Sequence, residues 1–319
     1  GPEPLDVRGL VLFMQRKGTI PRALALSDLG QHQAQDISVL SRHLFLHHTI
    51  LAWAYCEDPW SLVWAVRDDG TLLSCAVLPE QQLIAWTPHV VSGATVVDVA
   101  SLPEGYEDTL YLLTLRAPSN TLHLERMASR VCDDVREAVH VDGCVRVDGR
   151  KTTDEVVTID PLTAAIAISG DAGAYLHQRL RLRDASSRHM DVSLDTWTGV
   201  QYNCTLLDIS AGFDPGSDYQ ATSWGVLTQT VGGLSHLDPL GTGQVQVYGL
   251  CDGQVVGPLA VSGGVVQLPY WSEVVTVGLR YYSDFESLDV AHEKGRKKTV
   301  KAVTVETEPS FRVTSREEL

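Results

Sequence analysis

Long apolar runs, a signal segment and clustered cysteines are all missing from this 319-residue sequence. No window approaches the roughly 20 consecutive apolar residues that a membrane helix needs. The chain also does not open with the charged-then-apolar segment of a signal peptide. These absences predict a soluble protein without a membrane span.

The cysteines are few and widely spread. None of the six belongs to a C-x-x-C pair or to a zinc-finger spacing. We therefore expect reduced, structural thiols and no disulfide framework, which suits assembly in a cytoplasm. The six positions are Cys56, Cys75, Cys132, Cys144, Cys204 and Cys251.

Basic residues are scarce, since 25 Lys and Arg face 40 Asp and Glu and give a net charge of -15. A protein that grips nucleic acid tightly needs clustered cations, so this balance argues against that class. The one basic run is "EKGRKKTVK", residues 293–301, and it predicts a possible interaction loop at Lys294, Arg296, Lys297 and Lys298. The favoured interpretation is a solvated hairpin loop, and the alternative is a contact to phosphate or to an acidic neighbour.

What the chain has in abundance is short Val- and Leu-rich runs separated by Gly and Asp-Gly turns. Three of them form hairpin patterns: "GLVLFMQRKGTIPRALAL" at 9–26, "SLVWAVRDDGTLLSCAV" at 61–77 and "TLYLLTLRAPSNTLHLERM" at 109–127. A hairpin unit that recurs about every 50 residues is typical of propeller blades. We predict a mainly β fold of propeller-like blades, with helix limited to short turns near 36–48 and 132–138.

The pattern divides the chain into three parts. Residues 1–130 carry the hairpin repeats, and residues 131–230, with shorter strands and many Gly turns, are expected to be an inserted small β module. Residues 231–319 return to strong strands, with turn pairs at Asp252-Gly253 and Gly263-Gly264, and are expected to form a C-terminal β unit that returns to the propeller body.

No catalytic, cofactor or metal constellation stands out. His43, His47 and His48 have metal-like spacing without a third ligand nearby in sequence, so packing or hydrogen bonding is favoured. Asp68-Asp69 and Asp133-Asp134 are better explained as turn and lead-in residues than as a glycosidase pair. Ser235-His236 lacks a nucleophile elbow, and the Gly-x-Gly at Gly241 leads into a strand. The Trp residues at 53, 60, 64 and 86 are expected in the core.

One long run resembles a known family. "DPWSLVWAVRDDGTLLSCAVLPEQQLIAWTPHVVSGATVVDVASLPEGYEDTLYLLTLR" is similar to the blade region of the tail nozzle proteins of short-tailed bacteriophages, also called tail tubular protein B or packaged-DNA stabilisation proteins. "LVLFMQRKGTIPRAL" with "DISVLSRHL" precedes it, and "GLSHLDPLGTGQVQVYGLCDGQVVGPLAVSGGVVQLP" with "VTVGLRYYSDFESL" follows it, in the same order as in that family. The resemblance covers most of residues 9–290 and is weakest in 140–230.

The resemblance implies a structural virion protein of the tail, assembled in the host bacterial cytoplasm. It implies a homo-oligomeric ring, usually a hexamer, that contacts portal, adaptor and other tail proteins. Such a ring retains packaged double-stranded DNA and conducts it without sequence-specific binding, enzymatic activity or a cofactor. Closure of a propeller takes about four to eight blades, so the chain is expected to be a fragment of a larger propeller.

Two alternatives of other classes stay open. A carbohydrate-binding or carbohydrate-degrading tail protein would group aromatic side chains beside two carboxylates. A cellular β-propeller that acts as an interaction scaffold has the same periodicity.

Overall fold

The structure is a computed structural model that describes residues 1–26, 32–78, 81, 83–151, 155–160, 165–184, 186–214, 220–221 and 223–283. Nearly all regular elements in these ranges are antiparallel strands, which confirms the mainly β, propeller-like fold class. The expected helical turns are single 3-10 helices at Val39–Leu44 and Val135–Glu137. In the part of the chain that is described, no helix is long and apolar enough to span a bilayer.

The N-terminal half forms three consecutive up-and-down sheets. The first contains β1 (Leu5–Val7), β2 (Leu10–Met14), β3 (Pro21–Leu26) and β4 (His32–Asp36). The second contains β5 (Ile50–Cys56), β6 (Leu62–Arg67), β7 (Leu72–Leu78) and β8 (Leu83–His89). The third contains β9 (Ala94–Glu104), β10 (Glu107–Arg116) and β11 (Thr121–Arg126), with β10 in the middle. The three predicted hairpins are therefore β2–β3, β6–β7 and β10–β11.

The second sheet is the centre of this half because it is covered on both faces. Val63 and Leu73 pack into a core shared with the first sheet. Trp64 and Leu72 point the other way, into a core shared with the third sheet. A strand buried on both faces needs a continuous apolar run rather than strict alternation, and "LVWAV" in β6 supplies one. Sheets stacked face to face in chain order are the arrangement of propeller blades.

The remaining strands form one continuous hydrogen-bonded system, called the large sheet here. Their order is β12-β24-β21-β22-β23-β20-β16-β17-β18-β15-β14-β19, with β13 paired to β20. The bounds are β12 (Asp142–Asp148), β13 (Arg150–Lys151), β14 (Val157–Ile159), β15 (Ile166–Ile168), β16 (Arg179–Arg183), β17 (His189–Trp197), β18 (Tyr202–Ile209), β19 (Gln220–Ala221), β20 (Ser223–Val231), β21 (Gln246–Cys251), β22 (Gln254–Ser262), β23 (Val265–Ser272) and β24 (Val274–Leu279).

The large sheet has two apolar cores. One is built from β14 to β18 with Trp224, and the other is built from β21 to β24 with Leu234 and Leu237. The division at 130/131 and 230/231 stays a prediction. The strand pairing adds that β12 bonds to β24, so a strand from the predicted inserted module lies in the same layer as the C-terminal strands.

The alternating sequence of β16, "RLRLR", connects the two cores. Leu180 and Leu182 are fully buried in the first core. Because side chains alternate along a strand, the arginines share the opposite face. Each arginine there reaches a C-terminal residue: Arg179 lies 4.0 Å over the Trp271 ring, Arg181 Nη1 is 3.0 Å from Asp252 Oδ2, and Arg183 Nη1 is 2.8 Å from Glu273 Oε1.

Glu273 is the centre of this contact. It has no solvent exposure and accepts from Arg183 on one side and, at 3.4 Å, from Arg136 Nη1 on the other. Its backbone N–H donates to Asp252 Oδ1, and its backbone carbonyl accepts from Gly149. Gly225 leaves room for the carboxylate, since a Cβ there would lie 2.0 Å from Glu273 Oε1. The Glu273 carboxylate is therefore fully desolvated, and Arg183 and Arg136 compensate its charge.

We predict that Glu273→Ala strongly destabilises the protein. Removal of one partner of a buried ion pair typically costs about 3–5 kcal/mol, because it leaves charge buried without compensation. Chemical denaturation of the variant measures the loss. Glu57→Ala is the matched control, since its carboxylate is exposed and 3.9 Å from Arg8, and it should lose about 1 kcal/mol or less. Equal losses in the two variants would contradict this account of Glu273.

Candidate functional site

A large concave surface among the described residues is a groove between the third sheet and the start of β12. Its volume is about 1140 Å³, and its wall includes β11, residues 138–144 and Tyr281–Ser283. Pockets for small ligands are usually about 300–1,000 Å³ and enclosed. This groove is larger and open, so its shape suits a stretch of polypeptide better than a small molecule.

Glu125 lines the groove and forms an ion pair with the buried Arg116. Arg116 is 1% exposed, and its guanidinium donates to both carboxylate oxygens of Glu125 at 2.5 and 2.7 Å. Arg116 Nη1 also donates to the Ser92 carbonyl at 3.0 Å. Burial opposes ionisation of Glu125, but hydrogen bonds from Arg116 and Thr114 outweigh it and lower the pKa of this carboxyl. The pair is thus a closed structural unit whose hydrogen-bonding capacity is used inside the protein.

The segment before β9 joins the Arg116–Glu125 ion pair to β12. The Ser92 N–H donates to Asp142 Oδ2 at 2.8 Å, and its hydroxyl donates to the Arg280 carbonyl. Burial raises the pKa of the Asp142 carboxyl, against the lowering effect of the Ser92 hydrogen bond. Gly143 follows at φ +56, and a Cβ there would lie 2.6 Å from the Arg116 guanidinium.

His236 connects the groove to the C-terminal strands. Its Nδ1 is 3.0 Å from the Gly233 carbonyl, and its Nε2 is 2.8 Å from the Gly143 carbonyl. Both partners are backbone carbonyl oxygens, so the ring lies between two separate segments of the chain. The centroid of the His123 ring lies 5.6 Å away, and the two rings are tilted by 51°. His236 therefore positions the chain around Gly143, and its hydrogen bonds do not involve Ser235.

The histidine and carboxylate clusters elsewhere are held by arginines. His48 Nδ1 lies 3.0 Å from Asp68 Oδ1, and Asp69 completes a metal-like triplet. Asp69 is, however, ion-paired to Arg67. A second triplet, His189 with Asp191 and Asp208, contains a carboxylate that accepts from Arg181 at 2.8 Å through both oxygens. A guanidinium beside each cluster already supplies the positive charge that a cation would bring.

Several thiols are held in the protonated form. Burial raises the pKa of Cys75 to about 12 and that of Cys251 to about 11. Burial also raises the pKa values of Cys56, Cys144 and Cys204. A nucleophilic cysteine needs a lowered pKa, so these five are structural thiols, as the sequence predicts.

A smaller hollow carries one exposed aromatic ring. Trp60 is 50% exposed in the turn before β6, which corrects the expectation that it packs in the core, whereas Trp64 and Trp86 are buried. The hollow is also lined by Asp58, Glu107 and Asp108. Asp108 Oδ2 accepts the backbone N–H groups of residues 57 and 58, and Glu107 accepts from Ser129. Two of these three carboxylates therefore have structural roles.

The remaining predicted site residues are distributed as follows. Asp134 accepts the Arg136 N–H and pairs with its guanidinium, a lead-in role. The predicted interaction loop at Lys294, Arg296, Lys297 and Lys298 lies outside the described residues and stays a prediction. Sequence reasoning missed Arg116, Glu125 and Asp142. Arg116 ends the apolar run "TLYLLTLR", and Glu125 follows in the next strand. A cation and a carboxylate placed in this way are the signal that could have indicated the pair.

Comparison with known proteins does not assign this chain to a family. No protein-family model matches the chain, and no curated protein does. Among solved structures, it is similar to a protein of Bacteroides uniformis ATCC 8492 that is provisionally named 6-phosphogluconolactonase, with a TM-score of 0.25 and 11% sequence identity. The match covers 65% of this chain and 71% of that one.

We predict that Gly143→Ala lowers the thermal unfolding midpoint by roughly 6 °C or more, because the new Cβ meets a buried guanidinium and the backbone is at positive φ. Gly105→Ala is the control. Gly105 has a similar φ of +62 but nothing within 4 Å of an added Cβ, so it isolates the backbone cost. Equal shifts in the two variants would show that contact with Arg116 is irrelevant.

We predict that Asp142→Asn stabilises the protein at neutral pH by roughly 2 °C. The folded-state pKa of Asp142 is raised above the ordinary value of 3.8. Its ionisation therefore weakens folding as pH rises through the folded pKa, and the penalty is absent below the unfolded value. Asparagine keeps an acceptor for Ser92, so the difference between variant and parent should be present at pH 7 and vanish near pH 3. A difference between variant and parent that stays the same at pH 3 and pH 7 would contradict this account of Asp142.

Proposed function

We propose that the chain is a structural component of the tail nozzle of a short-tailed bacteriophage, part of a channel that retains DNA and conducts it. The observation that carries the proposal is the order of the segments that resemble this family. The segments within residues 10–116 fold as three successive blade-like sheets, and "DPWSLVWAVRDDGTLLSCAVL" supplies the two central strands of the sheet covered on both faces. β-Hairpin sequences alone do not predict both that order of segments and face-to-face stacking of the sheets.

The charge balance favours a protein that conducts DNA over one that binds it tightly. With 40 acidic against 25 basic residues, the average field repels a duplex, and each phosphate contact would add salt-dependent friction to a sliding genome. Many of the described arginines are also engaged internally: Arg116, Arg181 and Arg183 bind carboxylates. We infer an assembly in a ring with portal, adaptor and other tail proteins, in the virion after assembly in the host cytoplasm.

Absence of enzymatic activity is part of the same proposal. The raised thiol pKa values and the arginine-held carboxylates support it, because a catalytic acid, base or nucleophile must be available to a substrate. The contacts of these groups are internal to the fold.

A carbohydrate-binding tail protein is the second candidate, and the exposed Trp60 ring beside Asp58 and Glu107 is the observation that favours it. Sugar rings pack on exposed aromatic faces, and carboxylates accept hydroxyl hydrogen bonds. The small hollow and the structural use of Glu107 and Asp108 argue against a hydrolytic centre there.

Immunoelectron microscopy tests the proposal. Antibodies raised against this chain should label the tail tip of the bacteriophage that encodes it, and unlabelled virions would overturn the proposal. Fluorescence anisotropy at physiological salt should show weak duplex binding. Sub-micromolar binding that is lost when Lys294, Arg296, Lys297 and Lys298 are changed to Ser would contradict the conduit. A glycan-array signal that disappears in Trp60→Ala would favour the second candidate.

A further inference from the structure

The third sheet has a free strand edge among the described residues. In the first two sheets the fourth strand in chain order, β4 or β8, lies beside the third strand. The equivalent position in the third sheet is beside β11. The described chain after β11 instead passes through the 3-10 helix at Val135–Glu137 and enters β12, which pairs with β24. In the part of the chain that the structure describes, no strand therefore lies beside β11.

The register shows which backbone groups of β11 point outward. The Met127 N–H donates to a β10 carbonyl at 2.9 Å. Hydrogen-bonded and non-hydrogen-bonded pairs alternate along an antiparallel ladder. Hence His123 and Glu125 bond to β10, whereas the N–H and C=O groups of Leu122 and Leu124 point away from it.

The side chains of the two outward-facing residues are also exposed. Leu122 is 60% exposed and Leu124 is 72% exposed, and they lie opposite Leu115 and Leu113 on one face of the sheet. A strand edge that combines open backbone groups with exposed apolar side chains is the kind of surface to which an extended peptide adds as a further strand.

This edge of the third sheet faces the large groove. Residues 123–127 line the groove, and so do residues 138–144 and Tyr281–Ser283. A strand that joins a sheet lies only about 5 Å from its neighbour, so a single extended chain can run along β11 inside the groove. Because folded chain also lines the groove beyond β11, a slender segment reaches this edge more easily than a whole sheet does.

The carboxylates of the groove are already compensated. Glu125 and Asp142 are the two carboxylates among its described lining residues. The Arg116 guanidinium neutralises Glu125. Burial raises the pKa of Asp142, which favours its uncharged form. The two acidic side chains therefore add little negative charge to the groove.

The arginines of the groove are less fully compensated. Arg126 and Arg130 both line it. Arg126 is paired with Glu104, whereas the Arg130 guanidinium lies 5.8 Å from the Trp64 ring and has no ion-pair partner among the described residues. In a chain with a net charge of -15, a groove that retains positive charge favours an acidic occupant.

We propose that the free edge of β11 binds an extended acidic segment of a partner protein, which joins the third sheet as a fourth, antiparallel strand. The backbone of this segment pairs with Leu122 and Leu124, and its alternate apolar side chains pack beside these leucines. Carboxylates at its N-terminal end lie near Arg126 and Arg130, because an antiparallel strand begins where β11 ends. The inference does not depend on the tail proposal, which immunoelectron microscopy tests separately.

A synthetic peptide of two glutamates followed by alternating valine and threonine is the probe. Fluorescence anisotropy at physiological salt should show that it binds the full chain. The same peptide with every valine and threonine N-methylated should bind at least tenfold more weakly, because it keeps the charge but cannot donate to a ladder. Absence of binding by the first peptide, or equal binding of the two, would overturn the proposal. Tighter binding of an oligothymidylate would assign the groove to single-stranded nucleic acid and would also overturn it.

Amide-resolved hydrogen exchange locates the peptide. The Leu122 and Leu124 amides should exchange fast in the chain alone and about tenfold or more slowly with saturating peptide. The His123 and Glu125 amides, which bond to β10, are internal references and should change little. Protection of Leu122 and Leu124 without peptide would overturn the proposal: it would assign the edge to the chain itself if constant, and to a second copy if it rises with protein concentration.

Charge reversal tests the acidic character of the occupant. Arg130→Glu should weaken binding of the glutamate peptide about fivefold or more, and it should strengthen binding of a peptide with lysines in place of the glutamates. Arg42→Glu is the matched control, since Arg42 is 70% exposed on the 3-10 helix at Val39–Leu44 and its reversal changes the net charge equally. Equal effects of the two variants would show that only the overall charge matters and would overturn the placement of the carboxylates.

Discussion

The buried carboxylate of Glu273 is the constraint on which the C-terminal half depends. A charge without solvent exposure is tolerated only where cations and hydrogen-bond donors surround it. Here the cations come from β16 and from the 3-10 helix at Val135–Glu137, and Asp252 in the β21–β22 turn accepts the Glu273 backbone N–H. Elements more than 130 residues apart in sequence must meet for this carboxylate to be compensated, so the two apolar cores of the large sheet fold as partners.

The N-terminal half relies on a different principle. Its second sheet is apolar on both faces, so it needs a neighbouring sheet on each side, and chain order supplies them. Dispersion and the burial of apolar area have no preferred direction. They favour face-to-face packing of the sheets, but they do not determine at which sheet the stack ends. The third sheet shows this, because it offers a leucine-bearing edge and a face on which the stacking principle can continue.

The contact between the halves is polar and closed. Arg116, Glu125, Asp142 and His236 use their hydrogen-bonding groups on one another, on Ser92 and on the carbonyls of Gly233 and Gly143. Polar groups committed in this way fix the geometry of the groove and leave little for chemistry on a substrate. Such a site is consistent with a protein that acts in an assembly through its shape. The excess of acidic residues is consistent with the same role.

The sequence alone determined the local structure. Alternating or continuous apolar runs and the turns at Gly70, Asp252-Gly253 and Gly263-Gly264 specified the hairpins, because strand and turn preferences act over a few residues. It also predicted structural thiols and a hydrogen-bonding role for His48. Only the tertiary structure decided that β12 pairs with β24, that Trp60 is exposed and that Arg116 meets Glu125 under Gly143. Pairing between distant strands, solvent exposure and the close approach of Gly143 to the Arg116 guanidinium depend on tertiary packing, and they leave no periodic signal in the chain.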